Sequence, residues 1–432
     1  MSSFLICCTP VHGHVQPLLA VSRFLVERGH RVRFLTGARY RQAVESTGAT
    51  YLALPTEADY DDSNMDAAFP GRVGLTGPAG IRYDLEHIFI APAPHQVAAV
   101  DAALAAEPSD ALLVESMFIG ALPLLHRPRA SRPPIVNLGI VPLGLTSRDT
   151  APFGLGVLPK PGAAGRIRNR MLRLVAERII FAPLHKAASR LVRELEDQAP
   201  RAFVLDWPSL ADAVVQFTVE RFEYPRSDLP TPVHFVGPMA RGTAAAGAAE
   251  LPEWWADLDG SRPVVHVTQG TVANQDTGAL IEPTLAALAH EPVLVVVSTG
   301  GRAVDDLVLP ANARAASYLP YDRLLPLTDV LVTNGGYGGV HYAMENGVPL
   351  VVAGLTEDKT EVSARVEWSG VGINLRSDRP SPEQVRDAVR TVLSSPSYRE
   401  ASASIGADIR SSAGLAGLER AVLDLVGDRV SG

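Results

Sequence analysis

Between Asp329 and Ala353 the chain reads DVLVTNGGYGGVHYAMENGVPLVVA, two short apolar runs separated by a glycine-rich turn and a helix-forming segment. Few folds accept that order. A helix between two buried strands returns the chain to the end it started from, so the strands lie parallel and are covered on both faces. Asn334-Gly335-Gly336 supplies the tight turn, Tyr337 to Asn346 the helix, and Gly347 its end. The first N–H groups of such a helix are unpaired and sit at the positive end of its dipole, where side-chain-free glycines leave them open to an anion. The stretch reads as a cradle for a diphosphate. A second polar turn, Thr356-Glu357-Asp358-Lys359, follows one strand later (Pro349 to Ala353) and falls at the same edge of the sheet.

The alternation recurs along the chain. From Ser3 the pattern is strand (FLICCT), turn (PVHGH), amphipathic helix from Pro17 to Gly29, strand (Arg31 to Thr36), helix (Tyr40 to Thr47) and strand (Thr50 to Ala53). Pro17 suits a first helical turn, Leu18, Val21 and Leu25 share a face, and Gly29 ends the helix. A second unit starts at Pro263 with VVHVT, the loop QGTVANQD, a helix from Thr277 to Ala289 and the strand PVLVVVS. Between the units, Tyr224 to Pro252 is dense in Pro, Gly and Ala and has no sustained period. The expected organisation is α/β with two doubly wound parallel sheets. It comprises a first domain over 1–224, a linker over 225–252, a second domain over 253–410, and a C-terminal helix over 411–432 returning to the first. The poorly periodic stretches Tyr60 to Arg82 and Pro142 to Ala164 fall in the first half, where such loops shape a pocket.

Charge and cysteine usage narrow the function. A net charge of -8 spread without long runs offers no basic face for nucleic acid. Cys7 and Cys8 are neighbours in a strand and point to opposite faces, which suits two buried small apolar groups and not a disulfide. The start MSSFLICCTPVHGH lacks the basic end and long apolar core of a signal peptide, and no run reaches the ~18 apolar residues of a membrane span. The expectation is a cytoplasmic protein without an integral membrane segment. Residues 165–197 carry Arg166, Arg168, Arg170, Arg173, Arg178, Lys186, Arg190 and Arg193 among apolar residues. They read as a surface helix pair with a solvated basic face, interrupted near Pro183; a basic amphipathic helix on an anionic membrane is the other reading.

Taken together, HGHVQPLLAVSRFLVERGHRV near the N-terminus and TNGGYGGVHYAMENGVPLVVAGLTEDK near the C-terminus resemble the nucleotide-sugar-dependent glycosyltransferases of the GT-B fold. The likeness is to the family-1 bacterial enzymes that decorate natural products, of the macrolide-glycosyltransferase type. It runs in order along nearly the whole chain and is weakest from Tyr60 to Pro225. The resemblance implies two Rossmann-like domains facing across a cleft, with the acceptor substrate on the N-terminal side and the sugar nucleotide on the C-terminal side. His14 stands at the family's general-base position, and an imidazole suits proton removal from a hydroxyl near neutral pH. His12, on the same turn, reads as structural. Glu115, within DALLVESMFIG, falls where the family places an Asp that fixes the histidine's tautomer; Ser116 under a one-residue shift and Asp110 at the strand start are the alternatives. On the donor side Gly270-Thr271 resembles a phosphate-contacting loop and Tyr318 the aromatic that stacks on the base. Asn334, Gly335, Gly336, Gly338 and Gly339 form the diphosphate turn, and Asp358-Lys359 the pair that grips sugar hydroxyls.

Three departures qualify that likeness. Asn334 replaces the family's common His, so it can donate a hydrogen bond but brings no charge. Tyr342 occupies the place of a Glu that accepts from both ribose hydroxyls, with Glu345 three residues on, which leaves a thymidine nucleotide as open as a uridine one. Lys359 puts a cation where an amide is usual. The implied reaction is inverting transfer of a hexose from a nucleoside-diphosphate sugar, UDP-glucose first and a TDP-sugar second, to a hydroxyl of a hydrophobic polyketide or macrocyclic antibiotic. Neither a cofactor nor a metal is expected, since backbone N–H groups, Thr271 and Asn334 would serve the phosphates. The apolar loop GIVPLGLTSRDTAPFGLGVLP suggests a wide acceptor pocket. A lipid or membrane-linked acceptor, which the basic helix would favour, and a non-catalytic accessory protein of the same fold are the alternatives. Retention of His14 and the full glycine turn weighs against the latter.

Overall fold

The computed structural model describes residues 1–75, 77–239, 251–270, 274 and 276–431. Seven parallel strands make the first sheet: β1 (Ser3–Cys7), β2 (Arg31–Thr36), β3 (Thr50–Ala53), β4 (Ala111–Glu115), β5 (Ile135–Gly139), β6 (Ala213–Gln216) and β7 (Val233–Phe235), in the order β3-β2-β1-β4-β5-β6-β7. Six make the second: β8 (Val264–Thr268), β9 (Leu294–Ser298), β10 (Ala313–Ala316), β11 (Val330–Thr333), β12 (Leu350–Val352) and β13 (Gly372–Asn374), in the order β10-β9-β8-β11-β12-β13. Every residue of β4, β5, β8 and β9 is buried, which is why these segments are mostly apolar and show no in-out alternation, apart from buried polar side chains such as Glu115, Asn137 and His266. Each sheet grows to one side of its first strand and then resumes on the other, so the order reverses between β1 and β4 and between β8 and β11. At such a reversal the connections leave to opposite faces and open a crevice beyond the carboxyl ends. Those four strands deliver the turn before His14, Glu115, the Gln269-Gly270 loop and the Asn334-Gly335 turn.

The helix after β1 starts earlier than the sequence predicts. It spans His12–Glu27, so His12 and His14 lie in its first turn and not in a loop. Pro17 falls inside the helix, near enough to the start that it forfeits only the bond to the Gly13 carbonyl. The Asp62 carboxylate accepts the His12 N–H at 2.6 Å and so satisfies one of the unpaired groups at the helix start. Within the segment expected to be linker, Val233–Phe235 instead pairs with β6 as the edge strand β7. The C-terminal helix Gly414–Ser431 places Leu418, Ala421 and Val422 in the core of the first domain, beside Val15, Leu18 and Val236. Glu419 on that helix binds Arg28 and His30 at 3.1 and 2.9 Å.

Cys7 and Cys8 are free and enter separate cores on the two faces of the first sheet. By mean hydropathy and length alone the helical run Ala79–Ala106 is apolar enough to cross a membrane, although charged and polar residues interrupt it. Its Ile90, Ala93, Val97, Val100 and Ala103 are buried in the first domain's core, so here it is a core helix. The basic segment folds as Gly162–Val175 and Ala182–Glu196 joined by a wider turn, Ala176–Ile180, so the interruption precedes Pro183. The second of these helices buries Leu184, Ala188, Leu191 and Val192; the first buries only Gly165 and Asn169.

The facing of the two sheets is held by Arg365, fully buried on the helix Lys359–Trp368. It donates to Glu223 and to Glu361, each at 2.8 Å, and to the Leu143 carbonyl at 3.1 Å. Glu361 also accepts the N–H groups of Gly154 and Gly156 at 2.8 and 3.0 Å, which straps the loop after β5 to the second domain. Such a buried network is stable only when every charge is paired. Leu143 and Leu145 pack with Val214, so part of the apolar loop expected to line a pocket belongs to a core.

Candidate active site

Glu115 ends β4 and is fully buried, one residue beyond the Cys7–Val114 pair of the β1–β4 ladder. Its carboxylate meets the His14 Nδ1 at 3.0 Å and accepts the N–H groups of Met117 and Thr9 at 2.6 and 3.2 Å. Burial opposes its ionisation, but the charge and hydrogen bond of His14, aided by the two N–H groups, hold the carboxyl below its ordinary range. Burial likewise opposes a charged His14, yet Glu115, with smaller help from Asp358 and Glu357, lifts the imidazole above its ordinary value. A carboxylate on Nδ1 keeps the proton there and leaves Nε2 to accept another. The ring stacks on Phe89, centroids 5.9 Å apart, and keeps 16% of its side-chain surface exposed, so Nε2 chemistry remains reachable. Ser116 turns its hydroxyl to Asn137 and the Leu138 carbonyl, and Asp110 accepts the Ser3 N–H at the opposite end of the strands. Neither meets His14.

Along the second sheet the carboxyl-end turns touch one after another. Tyr318, 68% exposed, follows β10 and its hydroxyl lies where a side chain on Gly301 would project. Asn274 Nδ2 bridges the carbonyls of Gly270 and Gly300 at 3.2 and 3.1 Å. Gln269 accepts the N–H groups of Leu280 and Ile281 with its side chain, at 3.3 and 3.1 Å, and its backbone carbonyl accepts Asn334 Nδ2 at 2.6 Å. Gly335 has a φ of 84° and a Cβ there would meet Ser363 Oγ at 2.9 Å, so only glycine fits the turn. Gly354, after β12, packs against the Asn334 carbonyl and the stem of Lys359. One continuous edge thus carries Tyr318, Gly270, Asn334, Gly335, Gly336 and Lys359; Thr271 lies outside the described residues. The helix Tyr337–Glu345 begins at Gly336 with no side-chain cap, and nothing stands within 4 Å of where side chains on Gly338 and Gly339 would start. Asn334 itself is absent from the positive-φ residues, so its amide serves to tie the loop after β8 to the turn after β11 and not to permit a left-handed turn.

Across the cleft, the charges of Asp358 and Glu357 act on His14, more weakly than that of Glu115. Burial, reinforced by Glu357 and opposed by Lys359 and His14, pushes the Asp358 carboxyl up to about 6. Lys359, almost wholly buried, pairs with Glu357, a residue held at a positive φ of 55°. Tyr342 packs edge-on against Tyr321 with ring centroids 6.2 Å apart, within an apolar cluster. Among the described residues no three His, Cys, Asp or Glu side chains gather as metal ligands.

Sequence reasoning missed Phe89, Asp62, Tyr60 and Arg365. Asp62, from the stretch without a readable period, and Phe89, just beyond it, act on the first turn of the His14 helix, and Tyr60 buries an unpaired hydroxyl in a phenol that feels the Glu115 charge. Only Arg365 had a signal, a lone arginine with Glu361 one helical turn before it.

Residues 281–416 match the family model described as Erythromycin biosynthesis protein CIII-like, C-terminal domain. A 4'-demethylrebeccamycin synthase from Lentzea aerocolonigenes is 42% identical over 400 residues, which cover 91% of this chain and 92% of that protein. UDP-glycosyltransferase 2 from Phaeomoniella chlamydospora is 37% identical over 412 residues, covering 91% and 89%. Among solved structures, CalG4, the calicheamicin glycosyltransferase, shares the fold with a TM-score of 0.73 over 99% of this chain and 98% of that one, at 22% identity.

Proposed function

This chain belongs to the family-1, nucleotide-sugar-dependent glycosyltransferases of the GT-B fold that act on natural products, and from that premise we propose that it transfers a hexose with inversion to a hydroxyl of a hydrophobic acceptor. The observation that carries the reading is the His14–Glu115 pair at the carboxyl edge of the first sheet, sensing Asp358 beside the glycine turn of the second. His14 Nε2 takes the acceptor's proton as its oxygen attacks the anomeric carbon. The bond from that carbon to the diphosphate breaks, its electron pair leaves with the phosphate, and the new imidazolium is held by Glu115. Attack opposite the leaving group turns an α-linked donor into a β-glycoside.

In this reading the N–H groups at the start of the helix Tyr337–Glu345 and the Gly270-Thr271 loop stabilise the leaving diphosphate without a metal, and Lys359 stands with Asp358 at the sugar. Tyr318 stacks on the base and Asp358 accepts from a sugar hydroxyl. The name of the UDP-glycosyltransferase relative supports a uridine nucleotide; Tyr342, in place of a ribose acceptor, supports keeping thymidine in play. Thermal-shift measurements with UDP and with TDP test the donor half. The nucleotide that fits raises Tm, by the equivalent of about 2.7 kcal/mol at a hundredfold excess over its Kd. No shift with either at millimolar concentration rejects the donor site.

A further inference from the structure

The helix Gly162–Val175 has its faces reversed. Toward the protein it buries Gly165 and Asn169, followed by Ala176. Toward solvent it holds Ile167 (65% exposed), Met171 (57%), Leu174 and Val175, and within the wide turn that follows Ile179 (70%) and Ile180. Ile167, Met171 and Leu174, four and three residues apart, form one outward stripe. A helix facing only water gains nothing from such a stripe, and contiguous exposed apolar surface marks a binding face.

The rim of the stripe is cationic. Arg166 pairs with Asp149 at 3.2 Å, and Arg168 and Arg173 turn back to the carbonyls of Leu158 and Ser147. Arg170 and Arg178, together with Lys186, Arg190 and Arg193 on the next helix, are exposed and make no ion pair among the described residues. Residues 162–197 hold eight basic and four acidic side chains in a chain whose net charge is -8. The basic excess is therefore local to this face.

We propose that this face docks peripherally on an anionic phospholipid bilayer. The apolar stripe enters the headgroup boundary, and Arg170 and Arg178 meet lipid phosphates, as in helices that lie in the interface plane. A second copy of the chain fits less well, because a two-fold contact through this stripe sets the same arginine rims against each other. The surface stands apart from the donor and acceptor assignments and does not depend on them.

Flotation of the full-length protein with phosphatidylglycerol–phosphatidylcholine vesicles, at about 0.15 M salt, is the test. The wild type should float with these vesicles and stay behind with phosphatidylcholine alone. Ile167→Asp with Ile179→Asp should lower the bound fraction at least tenfold with Tm unchanged, and Arg170→Gln with Arg178→Gln should lower it and flatten its rise with phosphatidylglycerol content. Absence of flotation, or binding indifferent to both variants, overturns the proposal. So does a dimer in sedimentation equilibrium that the Asp pair dissolves, or a rise in the KM of a water-soluble acceptor in that variant, which would place the stripe in the acceptor pocket.

Discussion

Replacing Glu115 by Gln isolates the charge behind the proposed base. The carboxylate is fully buried and meets three nitrogens, His14 Nδ1 at 3.0 Å and the N–H groups of Met117 and Thr9. Gln keeps the shape but loses the counter-charge to the imidazolium, and its amide nitrogen must face a donor on one side. A hydrogen bond to a charged group contributes about 1.5–3 kcal/mol, so kcat should fall by roughly 10–150-fold if the imidazolium forms in the transition state. The unpaired buried donor should cost about 1–3 kcal/mol of stability. The pH profile gives the decisive signature. Because Glu115 holds the His14 pKa above its ordinary value, the acid limb of the wild-type rate, where the base becomes protonated, lies above the usual imidazole titration near 6.5. In Glu115→Gln that limb moves to lower pH while the plateau drops. Steady-state rates across pH at saturating donor, with nucleotide affinity by calorimetry as a control, read both effects. A kcat within twofold of wild type and an unmoved limb refute the reasoning.

Asp358→Asn should trade activity for stability. The folded pKa of about 6 lies above the ordinary 3.8, so the stability that comes from the neutral form is full below pH 3.8 and lost as pH rises through about 6. Asn locks in the neutral form, and urea denaturation should show a gain of about 1–2 kcal/mol, discounted for partial exposure, that grows between pH 4 and pH 7.5. Asn334→Ala breaks the bond to the Gln269 carbonyl and should raise donor KM by roughly 5–150-fold, the equivalent of about 1–3 kcal/mol; Asn334→Gly should do the same, because the position is not left-handed. Arg365→Met strands Glu223 and Glu361 between the domains and should cost about 3–5 kcal/mol, with two unfolding transitions in calorimetry where the wild type shows one.

The parts of this fold that were legible are those where burial forces the pattern. Parallel strands covered on both faces must be continuously apolar, so β8, β9 and β11 could be read directly, and a turn whose Cβ would strike Ser363 must be glycine. The register of β4 separated Glu115 from Ser116, since neighbouring residues of a strand point to opposite faces. What stayed hidden depends on contacts between distant segments. Asp62 holds the start of the His14 helix from 50 residues away, and the earlier helix start follows from a cap that no local signal announces. Leu143 and Leu145 look like pocket lining in sequence, but β7, folded from the supposed linker, gives them a core to join. The reversed helix at 162–175 is the sharpest case: its period is the same whichever face is covered, so only the fold tells which one meets water.

The most direct measurement of the central claim is transfer by the purified chain alone, supplied with α-linked UDP-glucose or TDP-glucose and a panel of phenolic and macrocyclic alcohols. Products are read by mass and their anomeric configuration by proton coupling. The account predicts a β-glycoside from the wild type and a loss of about 10²–10⁴ in rate for His14→Ala, with nucleotide affinity unchanged because that residue lies across the cleft from the donor loops. An α-glycoside, or a His14→Ala variant within tenfold of the wild-type rate, would contradict it.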